Sequence, residues 1–212
     1  MDNLDSIVED IRAVFETKNA ARDATLARSR ELIRLCALSI RATHREEFEE
    51  AERLLDQTRR AAEEMKAAIL DHPDLYYAGY TQDALKEVVE AMAVYAMVRG
   101  RPLPAPGDVG VPEAAYLNGL AEAASELRRH ALDVIRHDRN EEAERLLAAM
   151  DDIYGELVTM DFPDAITGGL RRTTDQLRGV LERTRGDLTT TLQQEKLKKA
   201  LQDFELRMKH AE

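Results

Sequence analysis

Four glutamates carry the chemistry this sequence offers. Glu87 and Glu90 stand three residues apart in a stretch that is apolar on nearly every side, and Glu122 and Glu126 stand four apart in a later one. Spacings of three and four put two side chains on one face of an α-helix. If two such helices pack with those faces together, four carboxylates meet and form an oxygen-rich site for a divalent cation. Either pair alone is also what a solvated helix face carries, so the elements around them must decide.

Leu85, Val88, Val89, Met92 and Ala96 share one face of the first stretch, while Val94, Met97 and Val98 lie with Glu87 and Glu90 on another. A helix apolar all round is expected to be buried. An ionised carboxylate there needs a cation, an Arg or Lys partner, or a raised pKa. The competing reading is an acidic pair at the solvated start of the helix beside Lys86. Around the second pair, Leu117, Leu120, Ala124, Leu127, Ala131 and Ile135 mark the expected core stripe, which leaves Glu122 and Glu126 on a solvated face as the simplest reading. Yet the acidic face also carries Ala115 and Gly119, small enough to let another helix approach, with Arg129 one turn further on.

The remaining elements read as helices too. Of 212 residues, 44% are hydrophobic and 33% charged, with only 6 prolines, 10 glycines, 5% aromatics and no tryptophan. That composition excludes a disordered chain and favours one all-α domain spanning 1–212. The pattern predicts about six helices with a long first and a long last one. The first runs from 4 to about 42; Thr43 and Glu46 form a capping box that starts the second, which continues to about Leu70 before His72-Pro73-Asp74. A third starts after Thr81 or Asp83 and ends at Arg99, where a Pro- and Gly-rich stretch to Gly110 forbids continuation. Pro112 opens a fourth to His137, Asn140 caps a fifth that ends by Phe162-Pro163-Asp164, and Gly168-Gly169 precedes the last, from Leu170 to about His210, with a kink or break expected near Gly186.

The word Glu-Glu-Ala-Glu-Arg-Leu-Leu occurs at 49–55 and again at 141–147. It reads either as two similar helical hairpins or as chance recurrence in amphipathic sequence. Charge bounds the partners: 30 Lys and Arg against 41 Asp and Glu give −11, so any nucleic-acid contact must come from a local patch. The lone Cys36 excludes an internal disulfide framework, and neither a membrane-length apolar run nor a leader pattern is present. The expected compartment is the cytoplasm, with no membrane partner. None of the 5 histidines follows a Glu by three residues, which argues against a di-iron carboxylate bundle. His44, His72, His130, His137 and His210 are expected at the surface or at helix ends.

At the acidic segments the chain resembles the translin family. Leu85-Lys86-Glu87-Val88-Val89-Glu90-Ala91 is similar to that family's Glu-x-x-Glu helix. The segment from Tyr116 to Leu127 is similar to its Tyr-Leu-x-Gly stretch with a following acidic pair, and Gly169-Leu170-Arg171-Arg172 to Gly186 to its C-terminal Leu-Arg-Arg helix. The resemblance covers about Leu32 to Gly186; 187–212 forms a poorly aligned helical extension. Within the family the chain looks most like the catalytic type, translin-associated factor X, in a prokaryotic or archaeal form.

That resemblance implies an all-α bundle assembling as a homo-oligomeric shell, with an octamer as the candidate size. It also implies a metal-dependent endoribonuclease acting on single-stranded RNA. Glu87, Glu90, Glu122 and Glu126 would be the catalytic residues and the ligands of Mg²⁺ or Mn²⁺, one of them accepting a proton from the attacking water, and Arg129 would contact a phosphate. Glu122 stands where the family usually has Asp, one methylene longer. Two other readings remain at this stage: a non-catalytic RNA-binding scaffold, and an all-α nucleoside triphosphate pyrophosphohydrolase, whose signature also begins Glu-x-x-Glu.

Overall fold

The computed structural model describes residues 3–209, and His210 lies outside them. The chain is all-α, with no strand among the described residues. Six long helices, α1 (Leu4–His44), α2 (Phe48–Ala67), α4 (Gly79–Val98), α6 (Glu113–Ile135), α7 (Asn140–Leu157) and α9 (Leu170–Lys209), are joined by three single turns, α3 (Pro73–Tyr76), α5 (Pro106–Val109) and α8 (Asp164–Thr167). No helix among the described residues is long and apolar enough to cross a membrane.

Helices α1 and α2 form one antiparallel hairpin and α6 and α7 another, with α4 packed between α1 and α6 and α9 against α6 and α7. One apolar cluster runs through all six long helices, from Leu32 and Leu54 through Val88 and Leu127 to Leu146 and Leu177. Side-chain ties fix the directions. Lys86 of α4 meets Glu122 of α6, Thr173 of α9 meets Asn118 of α6, and Asn140, at the start of α7, meets Glu195 late in α9. Thus α1, α4, α6 and α9 run the same way, and α2 and α7 return.

The two copies of the seven-residue word open α2 and α7, and the turns before them match. Glu46 and Asp138 both take a left-handed φ, of 59° and 57°, and the next amide in each donates back across the helix end, Glu47 to Ala42 and Arg139 to Val134. This is a Schellman-type stop made without glycine. It replaces the predicted Thr43–Glu46 capping box: Thr43 is fully buried inside α1, and its hydroxyl donates to the Ser39 carbonyl instead. Tertiary packing around Thr43 overrides its local capping tendency.

Other boundaries shift for similar reasons. Helix α2 stops at Ala67, short of Leu70, and α4 begins at Gly79, ahead of Thr81, whose buried hydroxyl donates to the Leu75 carbonyl at 2.7 Å. Pro112 and Arg139 occupy the positions before the first turns of α6 and α7, so Asn140 is the first helical residue and not a cap. Helix α9 passes Gly179 and Gly186 without a break.

Candidate metal centre

Helix α4 is the most enclosed element, with thirteen of its twenty residues buried. Its approach to α6 is set by Gly119: a Cβ there would stand 2.5 Å from the Lys86 carbonyl oxygen and 2.7 Å from Val89 Cβ, closer than real side chains come. The small residues of α6 therefore turn inward. Ala115, Gly119 and Ala123 are buried, while Leu117, Leu120 and Ile135 are only partly covered. The predicted stripe holds at Ala124, Leu127 and Ala131, which are fully buried, but the buried face also takes in the small residues, and Glu122 and Glu126 are not on a solvated face. They lie half-buried against α4, because backbones this close leave no room for leucine between them.

Glu87, Glu90 and Glu122 each present a carboxylate oxygen within 4.8 Å of the other two. Burial is the main force raising the Glu90 pKa, to about 8, with the charges of Glu87, Glu122 and Glu126 adding to it. The Glu87 pKa is raised as well, first by burial and then by Glu122, against the lowering effect of Lys86 and of a hydrogen bond with Glu90. Among the described residues neither α4 acid has a salt-bridge partner. The α6 acids do. Lys86 Nζ donates to Glu122 Oε1 at 2.9 Å, and His44 Nε2 pairs with Glu126 Oε1 at 2.8 Å. Burial opposes the charge on Lys86, but Glu122 holds its pKa above the ordinary lysine value.

Glu126 stands outside the cluster of three, near enough to Glu90 for its charge to be felt there. Arg129 is largely exposed, its guanidinium 4.0 Å from Glu126. Of the histidines expected at the surface or at helix ends, His44 is the last residue of α1 yet only 8% exposed, and His130 lies within α6 and is 1% exposed. Their rings stack with centroids 5.7 Å apart, and His130 Nε2 lies 3.5 Å from Glu142, too far for a strong hydrogen bond. Burial, then the neighbouring His44, lowers the His130 pKa. His137 is exposed, as expected. Sequence spacing hides the His44–Glu126 pair because 82 residues separate its members.

Cys36 is fully buried, and burial together with Glu87 and Glu90 keeps its thiol protonated, so it offers no nucleophile. Beside Glu122 a cavity of about 430 Å³ opens between α4, α6 and α9, lined among others by Gln82, Lys86, Asn118, Arg172 and Gln176.

The donor set fits a hard divalent cation. Three carboxylates converge on one point, and two of them resist ionisation because they are buried beside other acids, a cost that the charge of Mg²⁺ or Mn²⁺ would offset. Carboxylate oxygens within 4.8 Å of one another need only small side-chain adjustments to share an ion at ~2.1 Å.

No family model matches the sequence. An uncharacterized protein of Methanocaldococcus jannaschii is 30% identical over 209 residues, covering 97% of this chain and 90% of that protein. Among solved structures, AfC3PO in a duplex RNA complex matches with a TM-score of 0.80 and 36% identity, over 87% of this chain and 95% of that one. AfC3PO alone gives 0.80 and 35%, over 87% and 96%. Apo-NeC3PO gives 0.79 over 87% and 96%, but at 18% identity, which bears on the fold alone. The chain belongs to the C3PO-like translin family.

Proposed function

We propose that this protein is a metal-dependent endoribonuclease of the family's catalytic type, cutting single-stranded RNA in the cytoplasm as a homo-oligomer. The observation that carries the reading is the convergence of Glu87, Glu90 and Glu122 from two helices within 4.8 Å. Its support is the likeness to AfC3PO, a protein solved with duplex RNA.

In this reading Glu87, Glu90 and Glu122 hold Mg²⁺ or Mn²⁺. When bound, the ion supplies positive charge for the phosphodiester and acidifies a water. The chain's own residues do the rest. Glu126, oriented by His44, takes the proton of the attacking water as its oxygen bonds to phosphorus and the bond to the leaving nucleoside oxygen breaks. Arg129, at the rim, contacts a neighbouring phosphate, and the cavity lined by Lys86, Asn118 and Arg172 receives the strand. Metal loading also relieves the repulsion that an acidic cluster imposes on RNA.

A second reading, a non-catalytic RNA-binding scaffold, is favoured by one contact: Lys86 already neutralises Glu122 without any metal. The test is to incubate purified protein with labelled single-stranded RNA, duplex RNA and nucleoside triphosphates, each with Mg²⁺, Mn²⁺ or EDTA. Metal-dependent cutting of single strands supports the nuclease. A mobility shift without cutting selects the scaffold, and pyrophosphate release selects a pyrophosphohydrolase.

A further inference from the structure

Behind the metal centre, where α1, α6 and α7 meet, lies a second cluster of titratable side chains, only partly accounted for by proton transfer to Glu126. His44 ends α1 with its side chain 3% exposed, and its Nε2 pairs with Glu126 Oε1 at 2.8 Å. His130 stands one turn beyond Glu126 on the same face of α6. It lies against the His44 ring, with centroids 5.7 Å apart and planes 29° from parallel. His130 is 1% exposed, and neither of its ring nitrogens has a hydrogen-bond partner among the described residues. Its edge faces Glu142 of α7 at 3.5 Å, and Glu142 is paired in turn with Arg139 and Arg145.

An imidazole is a costly side chain for this spot. Two buried nitrogens lose their hydration without a compensating bond, and burial first, then His44, disfavours charge on the ring. The other hairpin shows what packing alone requires. Aligned by the shared seven-residue word and the matching turns before it, α1 carries Leu38 where α6 carries His130, and Glu50 stands in the place of Glu142. Leu38 packs against the core as an ordinary apolar residue, and exposed Glu50 bonds Arg53. What the imidazole offers and leucine lacks is a flat face of similar bulk with a polar edge. A ring packed flat against another restricts the rotation of both. His44 needs that restriction: it bonds Glu126 through Nε2, while its buried Nδ1 has no partner among the described residues. Contacts of the ring, and not a second hydrogen bond, must hold its plane.

We propose that His130 is a positioning residue that acts through His44 on Glu126, holding the His44 imidazole so that the carboxylate faces the attacking water. The proposal rests on the reading of Glu126 as proton acceptor. Glu87, Glu90 and Glu122, which would hold the ion, lie outside this chain of contacts, so His130 bears on turnover and not on metal or RNA affinity.

Replacing His130 by Leu or by Met should lower kcat for RNA cleavage by roughly tenfold, part of the ~10²–10⁴-fold that a placed proton acceptor supplies. KM and Mn²⁺ affinity should stay unchanged, and the melting temperature should be no lower than that of the wild type. A double-mutant cycle asks whether the effect passes through His44. His44→Leu should lower kcat at least as far, and His130→Leu should add nothing on top of it. Deuterium exchange at the imidazole C2 carbon, read by mass spectrometry, follows His44 without any cleavage. It should be slow in the wild type and several-fold faster in His130→Leu, with exposed His137 unchanged. Losses that multiply in the double variant, a wild-type kcat in both His130 variants, or an unaltered His44 exchange rate would overturn the positioning role. A wild type that cuts no RNA would sink the nuclease reading, and the His44 exchange rates would still decide whether His130 holds that ring.

Discussion

The two halves of the metal centre differ in how their charge is met. On α4, Glu87 and Glu90 sit in an apolar helix with no salt-bridge partner among the described residues, and Glu90 titrates near 8. On α6, Glu122 and Glu126 each have a cationic or imidazole partner, Lys86 and His44, from a neighbouring helix. One half is short of positive charge and the other is already positioned. A protein that needed these acids only for structure would gain by burying an apolar residue at Glu90. A carboxyl kept there with only another acid, Glu87, as hydrogen-bond partner is one that a cation would complete.

The largest test of this asymmetry is to remove charge from either half. Glu90→Gln and Glu122→Gln should each lower metal-dependent RNA cleavage by roughly 10²–10³-fold, while circular dichroism shows the fold retained. Activity within a few-fold of wild type in both would break the link between the halves. Closing the gap between the helices comes next. Gly119→Val should destabilise the chain by roughly 1–3 kcal/mol in thermal unfolding and weaken Mn²⁺ binding in calorimetry, because α4 must move away from α6.

Smaller, but specific to the α4 half, is the pH dependence. Folding raises the Glu90 pKa from 4.5 to about 8, so the folded state keeps a proton that the unfolded chain releases. Stability from this group is full below about pH 4.5 and is lost as pH rises toward 8, by on the order of a few kcal/mol. The metal-free protein should lose melting temperature between pH 5 and pH 8; Glu90→Gln should flatten that slope, and Mg²⁺ at pH 8 should restore the loss. A slope unchanged in the variant would assign it to other groups. The smallest effect belongs to the rim. Arg129→Ala should leave cleavage chemistry intact and lower the dependence of RNA affinity on salt by about one ion.

The glycines and prolines made much of the fold legible, because their backbone limits act locally. Gly168-Gly169 marks the start of α9 and Pro112 the start of α6, as the sequence implied. Thr43 misled because capping tendency is local whereas its burial comes from packing. On α6 the expected stripe was right at Ala124, Leu127 and Ala131, which are buried, but it missed Ala115, Gly119 and Ala123, which are buried because close backbone approach to α4 rewards small residues. The acidic pairs were legible as pairs. That Glu122 rather than Glu126 joins the α4 acids was not, since His44, which draws Glu126 aside, is 82 residues distant in sequence.

A crystal of the wild-type protein soaked in Mn²⁺ offers the most direct look at the centre. An anomalous difference peak should lie among the carboxylates of Glu87, Glu90 and Glu122, ~2.2 Å from their oxygens, and should vanish in Glu90→Gln. A map with no peak at that point, or with manganese bound only elsewhere on the surface, would contradict a shared metal site between α4 and α6.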